Sequence, residues 1–343
     1  MKQRFLLTCL IAMLYHTSFG QTILTSEFIY DTAPFPSCHA STLAETPNGI
    51  VAAWFGGTHE NNPDVEIYFS RKTVNGWTTP VSVANGIQHT KKRYPCWNPV
   101  LFQVPDGPLL LFYKVGPTPS TWWGEMKESN DGGNTWSESR RLPEDILGPV
   151  KNKPVLLSDG RLLSPSSRET EIDGKDYWQV FVEETTDFGK TWKISKPLND
   201  GVKNDAIQPS ILNYGNGKLQ MLCRSREGMI VSFWSEDNGK TWSDLQPTDL
   251  PNPNSGTDAV TLKDGRQLLI YNPTSIPEGK WGGPRSPIDL AISTDGINWE
   301  KFLRLEDTPG ELSYPAIIQA ADGTVHITYT HQRKKIKYIH LKL

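Results

Sequence analysis

The chain repeats one short motif, and this repeat limits the possible fold more than any other feature. Three copies have the form S/T-x-D-x-G-x-T-W and begin at Ser129, Thr185 and Ser235, and two weaker copies cover residues 70–77 and 293–299. A repeat every fifty to sixty residues or so indicates an array of similar supersecondary units, and for β-rich units a propeller. Within each copy, Asp can accept backbone N–H groups across a turn, Gly can take a positive φ, and Trp can fold back as an apolar plug.

A second periodic signal gives the number of units. Asn-Gly or Asp-Gly between apolar runs is the strongest short hairpin signal, and it occurs at Asn48-Gly49, Asp106-Gly107, Asp159-Gly160, Asn216-Gly217, Asp264-Gly265 and Asp322-Gly323. We therefore predict an all-β fold, a six-bladed β-propeller of four-stranded antiparallel blades. Each repeated motif should lie between the third and fourth strands of its blade. The strand-like residues 22–30 and 335–341 should share the last blade and close the ring.

The first twenty residues have the pattern of an export signal. Lys2 and Arg4 precede an apolar run over residues 5–15, and small residues lie before Gln21. We therefore predict a signal peptide over residues 1–20, a propeller domain over 21–343, and a periplasmic or secreted protein. No other stretch is long and apolar enough to cross a bilayer, so membrane insertion is not expected.

Charge and cysteine content limit the partners and the cross-links. The formal net charge is −3 and no basic run is present, so nucleic acid is not an expected partner. Cys38, Cys96 and Cys223 remain once Cys9 leaves with the signal, and their odd number excludes a complete disulfide framework. A Cys38–Cys96 bridge and buried free thiols are the two alternatives. No Cys or His spacing suggests zinc, and we expect a monomer without metal or cofactor.

A polar residue opens the innermost strand of every predicted blade. Innermost strands run along the central channel of a propeller, so equivalent positions should converge at one mouth. A hydrophobic core would not select six polar residues, and several of them can exchange protons. The sequence thus predicts a functional pocket, with hydration of the channel as the alternative. The six residues are His39, Asn98, Lys153, Gln208, Asp258 and Tyr314.

The repeated motifs and the six predicted blades resemble those of the sialidase superfamily, also called BNR-repeat proteins. The resemblance covers essentially the whole mature chain and implies a site that binds an acidic sugar. Sialidases hold the sugar carboxylate with three arginines, and Arg224 and Arg285 match the second and third of these. Tyr314 matches the nucleophilic tyrosine, and Asp64 falls where the acid/base aspartate is expected.

Two positions depart from the family pattern. The first arginine is absent, because Ser-Cys-His-Ala stands at residues 37–40, and Gln208 replaces the glutamate that assists the tyrosine. Tyrosine has a reference pKa of about 10 and needs a neighbouring base to act as a nucleophile near neutral pH, which an amide cannot supply. Carboxylate binding should persist with two arginines, since one bidentate contact is already strong.

A clamped carboxylate beside a His and a Tyr suits β-elimination from a uronic acid. His39 and Tyr314 are the predicted acid–base pair, and Arg224, Arg285 and Lys153 would stabilise the charged intermediate. The chain resembles the branch of sialidase-like propellers that includes rhamnosyl-glucuronate lyases and an oligosaccharide dehydratase of ulvan breakdown. We therefore expect a dehydratase that forms a 4,5-unsaturated uronate on acidic, ulvan-type oligosaccharides. A uronate lyase, an exo-sialidase and a non-catalytic glycan-binding propeller are the alternatives.

Further polar and aromatic residues are predicted near the same mouth. Arg93 is assigned to substrate binding together with Asn98, Gln208 and Asp258. The other candidates are Arg168, two loop tryptophans that could stack on a sugar ring, and two residues after the second strand of the last blade. For each of them a structural or solvated role is the alternative. These candidates are Arg168, Trp122, Trp123, His331 and Arg333.

Overall fold

The structure is a computed structural model, and it describes residues 21–203 and 205–343. The predicted signal peptide lies outside the described residues. Within them the chain is all-β, and six main sheets form a six-bladed β-propeller, which confirms the predicted fold. In this part of the chain no helix is long and apolar enough to cross a membrane.

The strands follow the chain blade by blade. The first strand, β1 (Thr22–Phe28), belongs to the last blade. Blade 1 contains β2 (Ser37–Thr46), β3 (Gly49–Gly57), β4 (Glu66–Thr73), β5 (Gly76–Trp77) and β6 (Val81–Ala84), and a short hairpin of β7 (Ile87–His89) and β8 (Lys92–Arg93) follows it. Blade 2 contains β9 (Cys96–Gln103), β10 (Leu109–Val115), β11 (Trp123–Ser129) and β12 (Arg140–Arg141). Blade 3 contains β13 (Val155–Leu156), β14 (Leu162–Ile172), β15 (Lys175–Thr185) and β16 (Lys193–Ile194).

The remaining blades complete the ring. Blade 4 contains β17 (Ala206–Gly215), β18 (Lys218–Ser225), β19 (Met229–Ser235) and β20 (Gln246–Pro251). Blade 5 contains β21 (Asp258–Thr261), β22 (Gln267–Tyr271), β23 (Ile288–Ser293) and β24 (Glu300–Glu306). Blade 6 contains β25 (Leu312–Gln319), β26 (Val325–His331), β27 (Lys335–Lys342) and, outermost, β1. The antiparallel pairing of β1 with β27 confirms the predicted closure of the ring.

The repeated motifs form turns between the third and fourth strands, as predicted. In blade 3, Asp187 Oδ1 accepts the backbone N–H groups of Lys190 at 3.0 Å and Thr191 at 2.8 Å, and Oδ2 accepts the Thr191 hydroxyl at 2.7 Å. Burial opposes these hydrogen bonds, but together they lower the pKa of Asp187 to about 2. Trp192 folds back and donates from Nε1 to the Gly189 carbonyl at 3.0 Å. The carboxylates that accept equivalent bonds are those of Asp131, Asp237 and Asp295.

The core lies between neighbouring blades because successive residues of a strand face opposite ways. In β3, Val51, Ala53 and Phe55 pack toward blade 2. Ala52 and Trp54, the residues between them, pack toward blade 6. Each blade is therefore held on both faces, and this packing fixes the inner strands that carry the mouth.

The three cysteines of the described chain are buried free thiols. The alternative of a Cys38–Cys96 bridge is therefore wrong for this structure. The Tyr30 hydroxyl donates to Cys38 Sγ at 3.0 Å, and burial raises the pKa of the Cys38 thiol to about 12. No group of three or more His, Cys, Asp or Glu side chains that could hold a metal occurs among residues 21–203 and 205–343.

Candidate active site

Four inner strands carry a bulge at the same mouth of the channel. The pairing of β2, β9, β17 and β25 with the next strand shifts register near the beginning of the inner strand. At each shift a non-glycine residue takes a positive φ, namely Ala40 (53°), Asn98 (37°), Gln208 (57°) and Tyr314 (50°). Residues other than glycine rarely adopt this backbone conformation. Such strained positions cluster at functional sites.

The predicted ring of six equivalent positions is only partly correct. In blade 1 the bulge residue is Ala40, and His39 precedes it. Lys153 lies before β13, whose two residues leave no room for a bulge, and Asp258 begins β21. Lys153 Nζ donates to both carboxylate oxygens of Asp258, at 3.0 and 2.9 Å. The two groups are thus paired with each other, and their roles as substrate contacts stay predictions.

Tyr314 is the centre of the site. Its hydroxyl oxygen accepts hydrogen bonds from Arg224 Nη1 at 2.8 Å and from Gln208 Nε2 at 3.1 Å. The Gln208 amide oxygen lies 3.5 Å from Arg224 Nη1, and Arg224 Nε donates to Asn254 Oδ1 at 2.6 Å. The phenol oxygen thus faces two donors, and within the described chain no carboxylate is hydrogen-bonded to it.

Three arginines surround this tyrosine, and the third comes from the last blade instead of the first. Arg285 Nη1 and Arg333 Nε both donate to Glu311 Oε1, at 3.0 and 2.7 Å. Burial raises the pKa of Glu311, but the two arginines outweigh it and hold this pKa below its usual range. The guanidinium carbons of Arg224 and Arg285 each lie 5.9 Å from the Tyr314 ring centroid. We call Arg224, Arg285 and Arg333 the arginine cluster.

His39 packs against Tyr314, with 4.0 Å between the ring centroids. Its Nδ1 is hydrogen-bonded to the Thr330 hydroxyl at 2.9 Å, and its Nε2 is buried with no hydrogen-bond partner among the described residues. Burial and the positive charge of the arginine cluster hold the pKa of His39 well below its usual value, so the ring is neutral. Because His39 is only 1 % exposed, its placement favours support of the Tyr314 ring over the predicted direct proton exchange with substrate.

A Lys-Asn pair that the sequence analysis missed connects the inner strands. Lys151 Nζ donates to the backbone oxygens of Thr257 at 2.7 Å and Pro315 at 2.5 Å, and to Asn152 Oδ1 at 2.8 Å. Asn152 Nδ2 donates to the backbone oxygens of Gln208 and the following proline. Burial lowers the pKa of the lysine to about 7. This pair therefore holds blades 4, 5 and 6 together beside two of the bulges.

Two predicted residues bind other partners. Asp64 is exposed, and its carboxylate accepts the backbone N–H of Thr58 at 3.0 Å and its hydroxyl at 2.6 Å. Arg93 Nη2 donates to Glu66 Oε1 at 2.7 Å and to the Asp64 backbone oxygen. Among the described residues, neither side chain contacts Tyr314 or the arginine cluster. Their roles as acid/base group and substrate contact stay predictions.

A hollow of about 300 Å³ opens between loops of blades 2 and 3. The predicted candidates Trp122, Trp123 and Arg168 line it, together with Glu169. The Arg141 guanidinium lies 4.6 Å from the Trp123 ring centroid and covers that ring. The hollow therefore presents a charged, partly aromatic wall.

Two more predicted residues lie on inner or second strands. Asn98 is buried at its bulge. His331 Nε2 is bound to Glu306 Oε1 at 3.1 Å. Both His331 and Arg333 were candidates because they follow the second strand of the last blade. Of the two, Arg333 belongs to the arginine cluster.

Comparison with known proteins gives a family and a fold. The model of the BNR repeat-like domain matches residues 48–327. A sialidase from Bacteroides fragilis is 24% identical over 238 residues, which are 62% of this chain and 42% of that protein. A sialidase from Clostridium perfringens is 25% identical over 142 residues, 37% of this chain and 36% of that protein. The chain thus spans less than half the length of these curated relatives.

Solved structures with low sequence identity share the fold. A protein of unknown function from Dyadobacter fermentans superimposes with a TM-score of 0.77 at 19% identity, over 94% of this chain and 99% of that one. The NanB sialidase from Streptococcus pneumoniae superimposes with a TM-score of 0.69 at 14% identity, over 93% of this chain and 70% of that one. At these identities the similarity establishes the propeller architecture alone.

Proposed function

This chain belongs to the BNR repeat-like family, and from that premise we propose that it is a carbohydrate-active enzyme acting on acidic oligosaccharides. Its substrate is the non-reducing-terminal uronic acid of ulvan-type oligosaccharides, and its reaction is β-elimination. One observation carries the proposal. The Tyr314 hydroxyl accepts hydrogen bonds from Arg224 and Gln208, inside a cluster of three arginines.

The arginine cluster supplies the carboxylate-binding part of the site. Guanidinium groups bind carboxylates bidentately and keep their charge at every working pH. Glu311 accepts one hydrogen bond from Arg285 and one from Arg333, and Glu60 accepts another from Arg333 Nη1. These contacts orient both guanidinium groups and leave further N–H donors on each. A uronate carboxylate bound there has its charge neutralised, and this acidifies the adjacent C5 proton.

Tyr314 supplies the proton-transfer part. In the proposed reaction its oxygen takes the C5 proton, while electrons move into a C4=C5 double bond and the C4 substituent leaves. The donors from Arg224 and Gln208 stabilise negative charge on the tyrosine oxygen before the transfer. His39 holds the ring in place through its close packing. A hydroxyl at C4 gives a dehydratase, and a sugar at C4 gives a lyase.

An exo-sialidase is the second candidate. The curated relatives are named sialidases, and Arg333 restores the number of arginines that the resemblance requires. Hydrolysis through Tyr314 as nucleophile needs a base that removes its proton. Gln208 occupies the place of that base and is a hydrogen-bond donor to Tyr314. Both reactions need a deprotonated Tyr314 oxygen, so it is the departure of Gln208 from the sialidase pattern that makes hydrolysis the second candidate.

The two activities have different products. The purified protein is incubated with uronate-terminated ulvan oligosaccharides and, separately, with a sialoside. We expect ultraviolet absorbance of a conjugated double bond to rise with the first and no product from the second. Release of sialic acid without an unsaturated product would overturn the elimination and support the second candidate. Tight binding of either glycan without turnover would instead indicate a non-catalytic glycan-binding propeller.

We propose in addition that the protein is exported and acts as a monomer. The support is the basic and apolar pattern of residues 1–20. Mass spectrometry of the periplasmic and secreted fractions should find a mature chain that begins at Gln21. Light scattering of that chain should give the mass of a single copy.

A further inference from the structure

We propose that Glu169 is a further catalytic residue of this site, whose carboxyl group donates a proton to the oxygen that leaves C4. This inference rests on the proposed function and deepens it. The resemblance assigns the acid role to Asp64, which is exposed and caps a turn at Thr58. Glu169 belongs to a different element, the outer part of β14 in blade 3.

Strand pairing places Glu169 on the face of blade 3 that borders the arginine cluster. Glu169 lies directly opposite Trp178 of β15, and directly opposed residues project from the same face of a sheet. The Trp178 ring centroid lies 5.1 Å from the guanidinium carbon of Arg224 and 4.0 Å from that of Arg226. The face that carries Glu169 therefore meets the arginine that binds Tyr314.

Strand alternation gives the same result independently. Ser167 lies two residues before Glu169, so both side chains project from one face of β14. The Ser167 hydroxyl oxygen accepts the backbone N–H of Gln208 at 3.1 Å. Gln208 is the bulge residue that donates to Tyr314. Blade 3 thus carries the Glu169 carboxyl group on the face that meets Gln208 of blade 4. Gln208 stands where the resemblance expects a glutamate.

The state of this carboxyl group suits proton donation. Glu169 is half-buried, and among the described residues its carboxyl group has no hydrogen bond or ion pair, whereas Glu311 is bound by two arginines. A half-buried charge without a partner is costly. Burial raises the pKa of Glu169, and Arg224 opposes this only in part. Glu169 therefore keeps its proton to a higher pH than an ordinary glutamate.

Glu169 also lines the hollow between blades 2 and 3. The residue thus borders both the face that meets Arg224 and an open space beside that face.

The proposed step is balanced in atoms and electrons. The step begins with Tyr314 as the phenolate and Glu169 protonated. The C5–H bond breaks and its proton goes to the phenolate oxygen of Tyr314. The electron pair forms the C4=C5 double bond, and the C4–O4 bond breaks with its pair on oxygen. Glu169 gives its proton to that oxygen, and water leaves. The proton on Tyr314 then returns to Glu169 through solvent, so the net products are the unsaturated uronate and one water molecule.

Glu169→Gln should separate acid catalysis from a structural role. The variant is compared with the wild type on a terminal uronate with a C4 hydroxyl and on its C4-fluoro analogue, because departing fluoride depends less on a proton. We expect kcat for the hydroxyl substrate to fall about 100-fold, fluoride release to fall only a few-fold, and KM to change little. Glu171→Gln is the matched control, since Glu171 is exposed on the same face of the same strand.

Each other outcome overturns a defined part of the account. Unchanged kcat in Glu169→Gln, or an equal loss on both substrates, would contradict a proton-donor role while leaving the elimination itself intact. A wild-type protein that makes no unsaturated product from either substrate would overturn the proposed function, and the role of Glu169 with it. Thermal denaturation of the variants identifies any loss that comes from unfolding.

Discussion

The two ends of the blades are built in opposite ways. At the repeated motifs, Asp187 and its equivalents bind groups two to four residues further along the chain. At the mouth, Tyr314 binds Gln208 and Arg224, which precede it by 106 and 90 residues. The motif contacts recur from blade to blade, whereas the mouth contacts join different residues of different blades. The first set specifies the architecture and the second set specifies the chemistry.

This difference explains why family resemblance transfers the fold more readily than the activity. The hydrogen bonds of a repeated motif are made within the motif, so they do not depend on the residues at the opposite end of the blade. At the mouth, the Gln208 amide donates to the Tyr314 oxygen, which an ionised carboxylate at the same position could not do. Substitutions at the mouth should therefore change turnover, and substitutions in the repeated motifs should change stability alone.

The largest effect should come from Tyr314→Phe, which removes the oxygen that accepts the C5 proton. We expect kcat for elimination to fall by about 10³-fold, with binding of the oligosaccharide retained because the arginine cluster remains. Tyr214→Phe is the control, since its hydroxyl donates to Gln220 beside a repeated motif. Steady-state kinetics and calorimetric binding measure the two quantities. Near wild-type turnover in Tyr314→Phe would remove the tyrosine from the mechanism.

Gln208→Glu restores the family pattern at the mouth. A carboxylate there would repel negative charge on the Tyr314 oxygen and compete for Arg224, so elimination should fall by about 10- to 100-fold. The variant is assayed on ulvan oligosaccharides and on a sialoside, with Gln103→Glu near the opposite turn of blade 2 as control. Faster elimination in Gln208→Glu would mean that the amide is not what selects this reaction.

Arg333→Gln tests the third arginine. Loss of a charge-assisted hydrogen bond to the substrate carboxylate costs about 1.5–3 kcal/mol, so KM should rise by about 10- to 100-fold with a smaller change in kcat. Arg266→Gln is the matched control, because Arg266 also pairs with a carboxylate, that of Asp264, but on a turn away from the mouth. An unchanged KM would place Arg333 outside the carboxylate-binding site.

Lys151→Met tests how the mouth is positioned. The substitution removes the hydrogen bonds to Thr257 and Pro315 that tie blades 5 and 6 to blade 3. We expect the bulge of Tyr314 to shift and kcat to fall about 10-fold, with little change in KM. Lys263→Met, at an exposed lysine bound to the Ala321 carbonyl, should have neither effect. A loss of stability without a change in kcat would show that the lysine is structural only.

The smallest effect should come from Asp187→Asn at a repeated motif. The pKa of Asp187 is lowered from 3.8 to about 2 in the folded protein, so its carboxylate stabilises the fold above about pH 4, and this contribution is lost as the pH falls toward 2. The group is mostly solvent-screened, so the effect is modest. Thermal denaturation should show a lower Tm for the variant at neutral pH, converging with the wild type near pH 2, at unchanged kcat. A loss of kcat in a stable variant would contradict the separation of the two ends.

The sequence predicted the parts of the molecule that follow a repeated pattern and missed the side-chain contacts between different blades. The motif at Asp187 follows from a pattern within one segment, and the pairing of β1 with β27 follows from the strand-like residues at the two ends of the chain. Lys151 was missed because Lys153, which precedes a proline, fitted the sequence pattern of the other inner strands. The structure has no bulge at that point of blade 3. Glu169 shows no motif of its own, and only the packing of β14 against blade 4 brings it to the site.

The central claim is that a mouth with Tyr314, three arginines and no glutamate at position 208 carries out elimination. Its most direct test is mass spectrometry of the product from an ulvan-type oligosaccharide that carries deuterium at C5 of the terminal uronate. The account predicts a product that has lost the C4 hydroxyl and the C5 deuterium, and whose unsaturated uronate absorbs ultraviolet light. A product that has gained water and keeps the deuterium would contradict it.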